Sequence, residues 1–537
     1  MENHAGLSRR AMLAGTAGIT SLALVGFSTE GQAAPARGGK LIYARLADSL
    51  FLDPVLNDAN VDIWVMNSIY DTLLFPTADG TGLQPGLATA WAWSNDGKTL
   101  TLTLREGVKF SDGSPMLASD VKWSLDRARN PKNGAWNDMV ASISAVEVTG
   151  GNTVVLTLKT PDPTLLAALA TFNTGIMPEK LFDASPGATM DEKAKAFAEK
   201  PVGTGPFMLT GWKRSQVMNL KRNPHYWRKG EDGQALPYLD EIEFQIIPDD
   251  ATRILKLKAG EVHGSEFIPY ARVKELQDDA NLRMELWPST RVSYIGLMVK
   301  PTLKNGTANP LSNVKVRQAL NYAANKDAII AITTRGLGKP TRSFMSSTTP
   351  LFHPQTLYAY DPAKAKALLA EAGFAGGIDI ACYSLAGNQD DLNNLTTLQQ
   401  MWAQVGVRLK IEPVDSATRT AKYRAEDYQM RTGAWTNDIA DPGQITSYFA
   451  YFPNIGSLHS GWNNQRVNDL YVVGLQENDV AKRRAIYKEI QELYAAEAPI
   501  VFLYETAYPV AFRKNVKGFV QIPLGNNYFE AASIEKP

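Results

Sequence analysis

Residues 433–444 read GAWTNDIADPGQ, which sets an indole, an amide and two carboxylates between turn residues. A carboxylate enclosed away from water is costly unless a cation meets it. An ammonium group offsets that cost through charge-assisted hydrogen bonds. At an effective dielectric of about 20, such a pair at 4 Å gains roughly 4 kcal/mol of attraction before desolvation. Asp438 is the candidate anchor, with Asn437 beside it and Trp435 as an apolar wall or cation–π face. A second reading of the same residues is purely local: Asp438 closes a turn and Trp435 packs into a core. Asp441, directly before Pro442, reads as shaping the loop.

Reactive chemistry has little to stand on elsewhere. There is no G-x-S-x-G elbow, no H-E-x-x-H and no histidine pair at metal-ligand spacing. Gly203-Thr204-Gly205 lacks the third glycine of a dinucleotide loop, and Pro340 stands where a phosphate loop needs Ser or Thr after Lys339. Both read as turns. Asp438 and Asp441 are the one close carboxylate pair in a plausible cleft, and that spacing on a Pro-Gly loop matches no recognised acid–base arrangement. No catalytic residue, cofactor or metal site is expected. Cys382, the single cysteine, excludes an internal disulfide and reads as a buried strand residue.

These side chains need a scaffold, and the hydrophobic periods outline one. KTLTLTLREG and NTVVLTLKT alternate threonine with Leu100, Leu102, Leu104 and with Val154, Leu156, Leu158, the period of half-buried strands. Between them, Ser119 is expected to cap a helix with Val121, Leu125 and Ala128 on one face. Beyond residue 301, helices alternate with strands: DPAKAKALLAEAGF carries its own cap, first-turn proline and terminal glycine. GIDIACYS, a helix from Leu392 to Val405, and VRLKIEPV follow, which predicts an α/β lobe.

With 537 residues, two or three domains are expected. Fifty-five basic residues balance fifty-five acidic ones, so no global field favours nucleic acid. The N-terminus has the parts of an export signal: Arg9-Arg10, an apolar run to Phe27, then small residues with cleavage after Ala33 or Ala36. SRRAML resembles the twin-arginine motif, which predicts export of a folded, periplasmic protein. An ordinary secretory signal carrying two arginines is the alternative. No cysteine lies near the cleavage site to carry a lipid anchor.

Six stretches in order carry a resemblance. They are FSDGSPMLASDVKWSLDRA (110–128), PVGTGPF (201–207), the segment 223–262, VRQALNYAANKDAI (316–329), DPAKAKALLAEAGF (361–374) and RRAIYKEIQELYAAEAPIVFLY (483–504). Together they resemble the extracellular solute-binding proteins of family 5, the peptide, opine and nickel binders that feed ABC transporters. The resemblance implies an α/β, two-lobed periplasmic binding protein of the Venus-flytrap, class II or cluster C type, with an extra β-rich subdomain. On it, residues 1–33 are signal; 37–80, 200–300 and 505–537 form a discontinuous first lobe; 81–199 form the subdomain; 301–504 form the second lobe. VSYIGLMVK and PIVFLYETAYP become the hinge strands.

The resemblance also places Asp438 on the aspartate that holds a peptide's α-amine. It puts Trp136 at a pocket tryptophan, Phe172 and Asn173 at the cleft edge, and Ser49 and Leu50 in the first strand-to-helix loop. Where dipeptide binders hold the ligand carboxylate with an arginine, this chain reads LAGNQDD, leaving Arg291, Arg342 or Arg431 as candidates. The implied function is capture of a peptide, opine-like or other amine-bearing solute by a monomer. The solute then passes to an inner-membrane ABC permease and its ATPase. A secreted hydrolase of peptides or cell-wall fragments, a metal-chelate binder using His459, and a chemoreceptor module are the alternatives.

Overall fold

The computed structural model describes residues 35–536 apart from 58, 59, 134, 135 and 478, so the export-signal reading lies outside the described residues. The apolar strand Lys40–Arg45 lies centrally in a seven-stranded sheet, in parallel register with Glu241–Ile246. Outward on one side come Val217–Arg222 and Phe207–Lys213; on the other come Gly264–Ser265, Tyr508–Arg513 and Leu282–Trp287. One lobe is thus assembled from separated stretches of chain.

The alternating threonine segments form strands Thr99–Leu104 and Thr153–Leu158 of a four-stranded antiparallel sheet, completed by Ala88–Trp93 and Ile143–Val148. Leu100 faces Leu156 and Leu102 faces Val154 across the pair, and all four are buried. Helix Ala118–Ala128 brings Val121 and Leu125 into the same core. Ser119 is not its cap. The helix starts one residue earlier, and the Asp120 carboxylate accepts the Leu117 N–H at 2.8 Å, so a carboxylate in the first turn satisfies the free end.

The second lobe is built on a six-stranded sheet in the order Gly338–Pro340, Ile500–Thr506, Val292–Leu297, Met430–Trp435, Ile378–Leu385 and Val407–Val414. Helices cover both faces. Ile295, Leu297, Val501 and Leu503 meet Val316, Leu320, Leu398 and Trp402 on one face. Tyr294, Ile500 and Phe502 meet Phe449, Tyr487, Ile490 and Tyr494 on the other. Helix Pro362–Glu371 has the expected ends: Asp361 accepts the Lys364 N–H at 2.9 Å, and Gly373 takes φ +89°. The next helix spans Gln389–Ala403, capped by Asn388, three residues earlier than the apolar pattern places it.

The sequence reading leaves VSYIGLMVK at the end of the first lobe, yet Val292–Leu297 is hydrogen-bonded between two strands of the second sheet. Every residue in that strand is buried, as a central strand covered on both faces requires. The crossings therefore fall at residues 288–291 and at Ala507, between Leu282–Trp287 and Val292–Leu297 and between Ile500–Thr506 and Tyr508–Arg513. They lie side by side: the Tyr270 hydroxyl donates to Ala507 O at 2.9 Å, and Ser289 Oγ donates to Thr506 O. Gly203-Thr204-Gly205 is a site of close approach. A Cβ on Gly203 would lie 2.2 Å from the Ile69 carbonyl oxygen at the end of helix Asn60–Ile69.

Arg127, on the subdomain helix, pairs at 2.9 Å with the fully buried Asp53 of the first lobe, whose carboxylate also accepts the N–H groups of Val55 and Leu56. Removing one partner of a buried pair leaves the other charge uncompensated. Arg127→Ala is expected to lower stability by about 3–5 kcal/mol, read as a shifted urea midpoint. A shift like that of an exposed lysine-to-alanine change would contradict the arrangement.

Candidate ligand-binding site

Trp435 ends strand Met430–Trp435 and turns toward helix Pro442–Phe449. Its ring lies 4.7 Å from that of Tyr448 and 5.7 Å from that of Phe449. It stays half-buried, and its Nε1 is buried without a hydrogen-bond partner.

The two aspartates of the loop diverge in role. Asp441 caps the helix, accepting the Gly443 N–H at 2.7 Å, and binds Arg483 through both oxygens at 2.6 and 2.8 Å. Asp438 meets no cation in the described residues. Gln444 holds it twice: its Oε1 accepts the Asp438 N–H at 2.8 Å and its Nε2 donates to Asp438 Oδ2 at 2.7 Å. Burial pushes the Asp438 carboxyl up to about 7; the Gln444 bond opposes this and the charge of Asp138 adds to it.

Sequence spacing pairs Asp438 with Asp441, whereas the fold pairs it with Asp138. That residue sits in the short helical turn Asn137–Val140 of the subdomain. Burial pushes Asp138 up to about 6, against the Tyr448 hydroxyl acting as donor. Asp138 Oδ1 is buried without a hydrogen-bond partner. Two uncompensated carboxylates thus flank Tyr448, one on the subdomain and one on the second lobe, and together they raise the tyrosine's own pKa after burial has done so.

An aromatic line runs through the same place. Trp136 lies 6.3 Å from Tyr448 and 5.5 Å, edge to face, from Phe172. The Trp136 indole donates to Asn57 O at 2.8 Å, and Asn173 Nδ2 donates to Trp136 O at 3.1 Å. The fold therefore brings Asp438, Trp435, Trp136, Phe172 and Asn173 together, with Asn173 holding the Trp136 backbone. Asn437 is fully buried and ties the loop down, its N–H donating to Thr290 Oγ1 at 2.9 Å. Ser49 is buried and donates to Val61 O at 3.0 Å, while Leu50 is 67% exposed. No hydrogen bond or ring contact in the described residues joins Ser49 or Leu50 to Trp435 or Asp438.

Tyr448, Gln444 and Asp138 escape a reading by motif. Gln444 carries a local signal, since a glutamine three residues after a helix cap reaches back to preceding N–H groups. Asp138 has none.

Two cavities flank the loop. One, of about 290 Å³, lies between the subdomain and the second lobe, with Asp138, Ser142 and Thr164 facing Ile439, Gln444 and Tyr471. The other, of about 260 Å³, is bounded by Tyr270, Arg291, Asp390, Asn394, Arg419 and Ala434. Beyond Arg431, strand Met430–Trp435 pairs only with Val292–Leu297, so its other edge is open where Gly433 and Ala434 line that cavity. Arg291 is half-buried and its guanidinium makes no hydrogen bond or ion pair among the described residues. Arg431 is buried instead, stacked 4.0 Å from the Tyr423 ring and hydrogen-bonded to Tyr294 at 3.2 Å. His459 lies 4.6 Å from Tyr423, and burial lowers its pKa.

The family model for bacterial extracellular solute-binding proteins, family 5, middle region, matches residues 82–457. The glutathione-binding protein GsiB of Salmonella typhimurium is 30% identical over 525 residues, 96% of this chain and 98% of that one. The solved structure of the periplasmic binding protein DppA from Helicobacter pylori, in complex with the peptide STSA, superposes with TM-score 0.81 at 26% identity, covering 93% of this chain and 99% of that one. AgaA of A. tumefaciens R10, solved in complex with agropinic acid, gives TM-score 0.79 at 26% identity over 93% of this chain and 99% of that one. The chain belongs to the bacterial extracellular solute-binding proteins of family 5.

Proposed function

We propose that the protein is the periplasmic substrate-binding component of an ABC importer and captures a peptide-like, glutathione-like or opine-like solute by its ammonium group. The observation that carries this reading is Asp438, an enclosed carboxylate with no cation partner among the described residues, opposed across the cleft by Asp138. Burying two like charges at a joint between lobes is unfavourable until a cation arrives. An ammonium held between them makes charge-assisted hydrogen bonds to both. The Trp435 Nε1, buried and unpaired, supplies a donor beside them.

The rest of the solute has a path. The open edge of Gly433–Trp435 suits an extended backbone adding as a strand. Arg291, with Arg419 across the second cavity, suits the far carboxylate that lacks an arginine in residues 385–391. Ser49 and Leu50 take no part in this reading. Each arm is a binding contact, and no group is assigned a catalytic step. Export through the twin-arginine route, from Arg9-Arg10, belongs to the same proposal. A solute recovered chemically unchanged after incubation and heat release supports a binder; cleavage products would establish the hydrolase instead.

Two outcomes are expected with glutathione and the peptide Ser-Thr-Ser-Ala as calorimetric probes. Asp438→Asn should weaken binding at least tenfold, about 1.4 kcal/mol, and Asp138→Asn should weaken it in the same direction. Melting temperature at pH 7.5 should hold or rise, because a carboxyl whose folded pKa is raised costs the fold stability progressively from its unfolded pKa upward, and in full above the folded value. Unchanged affinity in Asp438→Asn removes it from the site.

The pH dependence has a defined sign. The free protein holds protons at Asp438 up to about 7 and at Asp138 up to about 6, and an ammonium needs both ionised. Affinity should therefore fall as pH drops from 7.5 to 5.5, by at least about tenfold, and the dependence should flatten in the double variant Asp138→Asn/Asp438→Asn. A flat profile in the wild type contradicts the ammonium reading.

A further inference from the structure

The loop that carries Asp438 is bonded to both places where the chain crosses between lobes. Thr290 lies in the first crossing and is buried. Its Oγ1 accepts the Asn437 N–H at 2.9 Å and donates to Pro523 O at 3.2 Å, and its own N–H donates to Pro523 O at 2.9 Å. Pro523 sits at the tip of the hairpin Val520–Gln521/Asn527–Tyr528, on the chain that follows the first-lobe strand Tyr508–Arg513. At the second crossing, the Tyr508 hydroxyl donates to Thr436 Oγ1 at 2.9 Å. Gly525 permits the approach: a Cβ there, already strained at φ +89°, would lie 3.1 Å from the Tyr508 hydroxyl and 3.5 Å from Thr436 Cγ2. Two consecutive residues before Asp438 are thus held by two hydroxyls, one from the first crossing and one from the strand residue that directly follows the second.

We propose that Thr290 and Tyr508 are positioning residues that couple lobe closure to the placement of Asp438. Neither is needed as a ligand contact. A rotation about residues 288–291 and 507 displaces Pro523 and Tyr508 relative to strand Met430–Trp435. The bonds to Thr436 and Asn437 then either break or drag the loop. Asp438 takes its binding position when both are made. The consequence is a site whose anchor is assembled by closure, so that an open protein holds solute weakly and can release it. This rests on Asp438 as the ammonium anchor, but the bonds themselves can be tested without any ligand.

The variants Thr290→Val, Thr290→Ser and Tyr508→Phe test this in the full mature chain. Amide hydrogen exchange in the ligand-free protein should speed up at Asn437–Asp438 by about tenfold in Thr290→Val, with Thr290→Ser restoring protection. Tyr508→Phe should act on the same segment. With glutathione as probe, Thr290→Val should weaken binding about five- to tenfold, mostly through faster dissociation, and Thr290→Ser should lie within about twofold of wild type. In the Asp438→Asn background, Thr290→Val should add little, because both act through one contact. Unchanged exchange at 437–438 overturns the coupling, as does full additivity with Asp438→Asn. Accelerated exchange in Thr290→Val, together with a wild-type protein that does not bind glutathione, would uphold the coupling and count against the solute reading alone.

Discussion

The constraint on which the rest depends is the desolvation of negative charge where two lobes meet. Asp438 and Asp138 come from opposite sides of the cleft, are each pushed upward in pKa by burial, and have no cation partner among the described residues. Two other enclosed acids in the same chain meet an arginine directly, Asp53 with Arg127 and Asp441 with Arg483, whereas buried Asp71 is held by the Trp227 indole. What distinguishes Asp438 and Asp138 is that they meet across a joint in the fold, the charge of Asp138 raising Asp438 and both raising Tyr448, which is why the proposed function puts a guest of positive charge there. A charge of that sign turns repulsion between lobes into attraction.

Around the pair, the apolar surroundings strengthen whatever charge interaction forms there, since low local dielectric magnifies both the unmet charge and its compensation. The line Trp435–Tyr448–Trp136–Phe172 crosses from the second lobe to the subdomain. It sets apolar rings beside Asp438 and Asp138, with Tyr448 between them. At the other end the environment reverses. The cavity near Arg291 is lined by Asn, Asp and Arg side chains together with an open strand edge, a setting for backbone amides and carboxylates. A guest with an ammonium head and a peptide-like body fits the direction of that gradient.

The scaffold explains how so few side chains can act together. Among the described residues, two sheets with separate cores are joined by two crossings, and Thr290 in the first and Tyr508 just after the second contact the segment 436–437 that precedes Asp438. In a two-lobed binding protein, motion is concentrated in a few residues at such joints. A loop tied to the joint moves with it, whereas a loop rooted in one core would not.

Much of this architecture was legible in the chain. The period-2 runs at Leu100–Leu104 and Val154–Leu158, and the cap, proline and glycine of 361–373, describe local hydrogen bonding and burial, which neighbouring residues decide. Trp435 and Asp438 stood out in the sequence, because turn residues alone do not require an indole, although without the family resemblance they read as a local turn and core packing. The helix starts at Ala118 and Gln389 were displaced from expectation because neighbouring polar side chains, Asp120 and Asn388, accept the free N–H groups there.

By itself, then, the sequence determined most of the elements through periodicity and turn chemistry, while the two-lobed class and the candidate anchor came from its resemblance to a known family. Tertiary structure alone decided which charges would be compensated. Asp441 and Asp438 are three residues apart and chemically identical, yet one meets Arg483 and the other faces Asp138. No local pattern encodes that difference. It arises because helix Val480–Glu497 and the turn Asn137–Val140 pack on opposite sides of a single loop, and electrostatic energy depends on distance through space rather than separation along the chain.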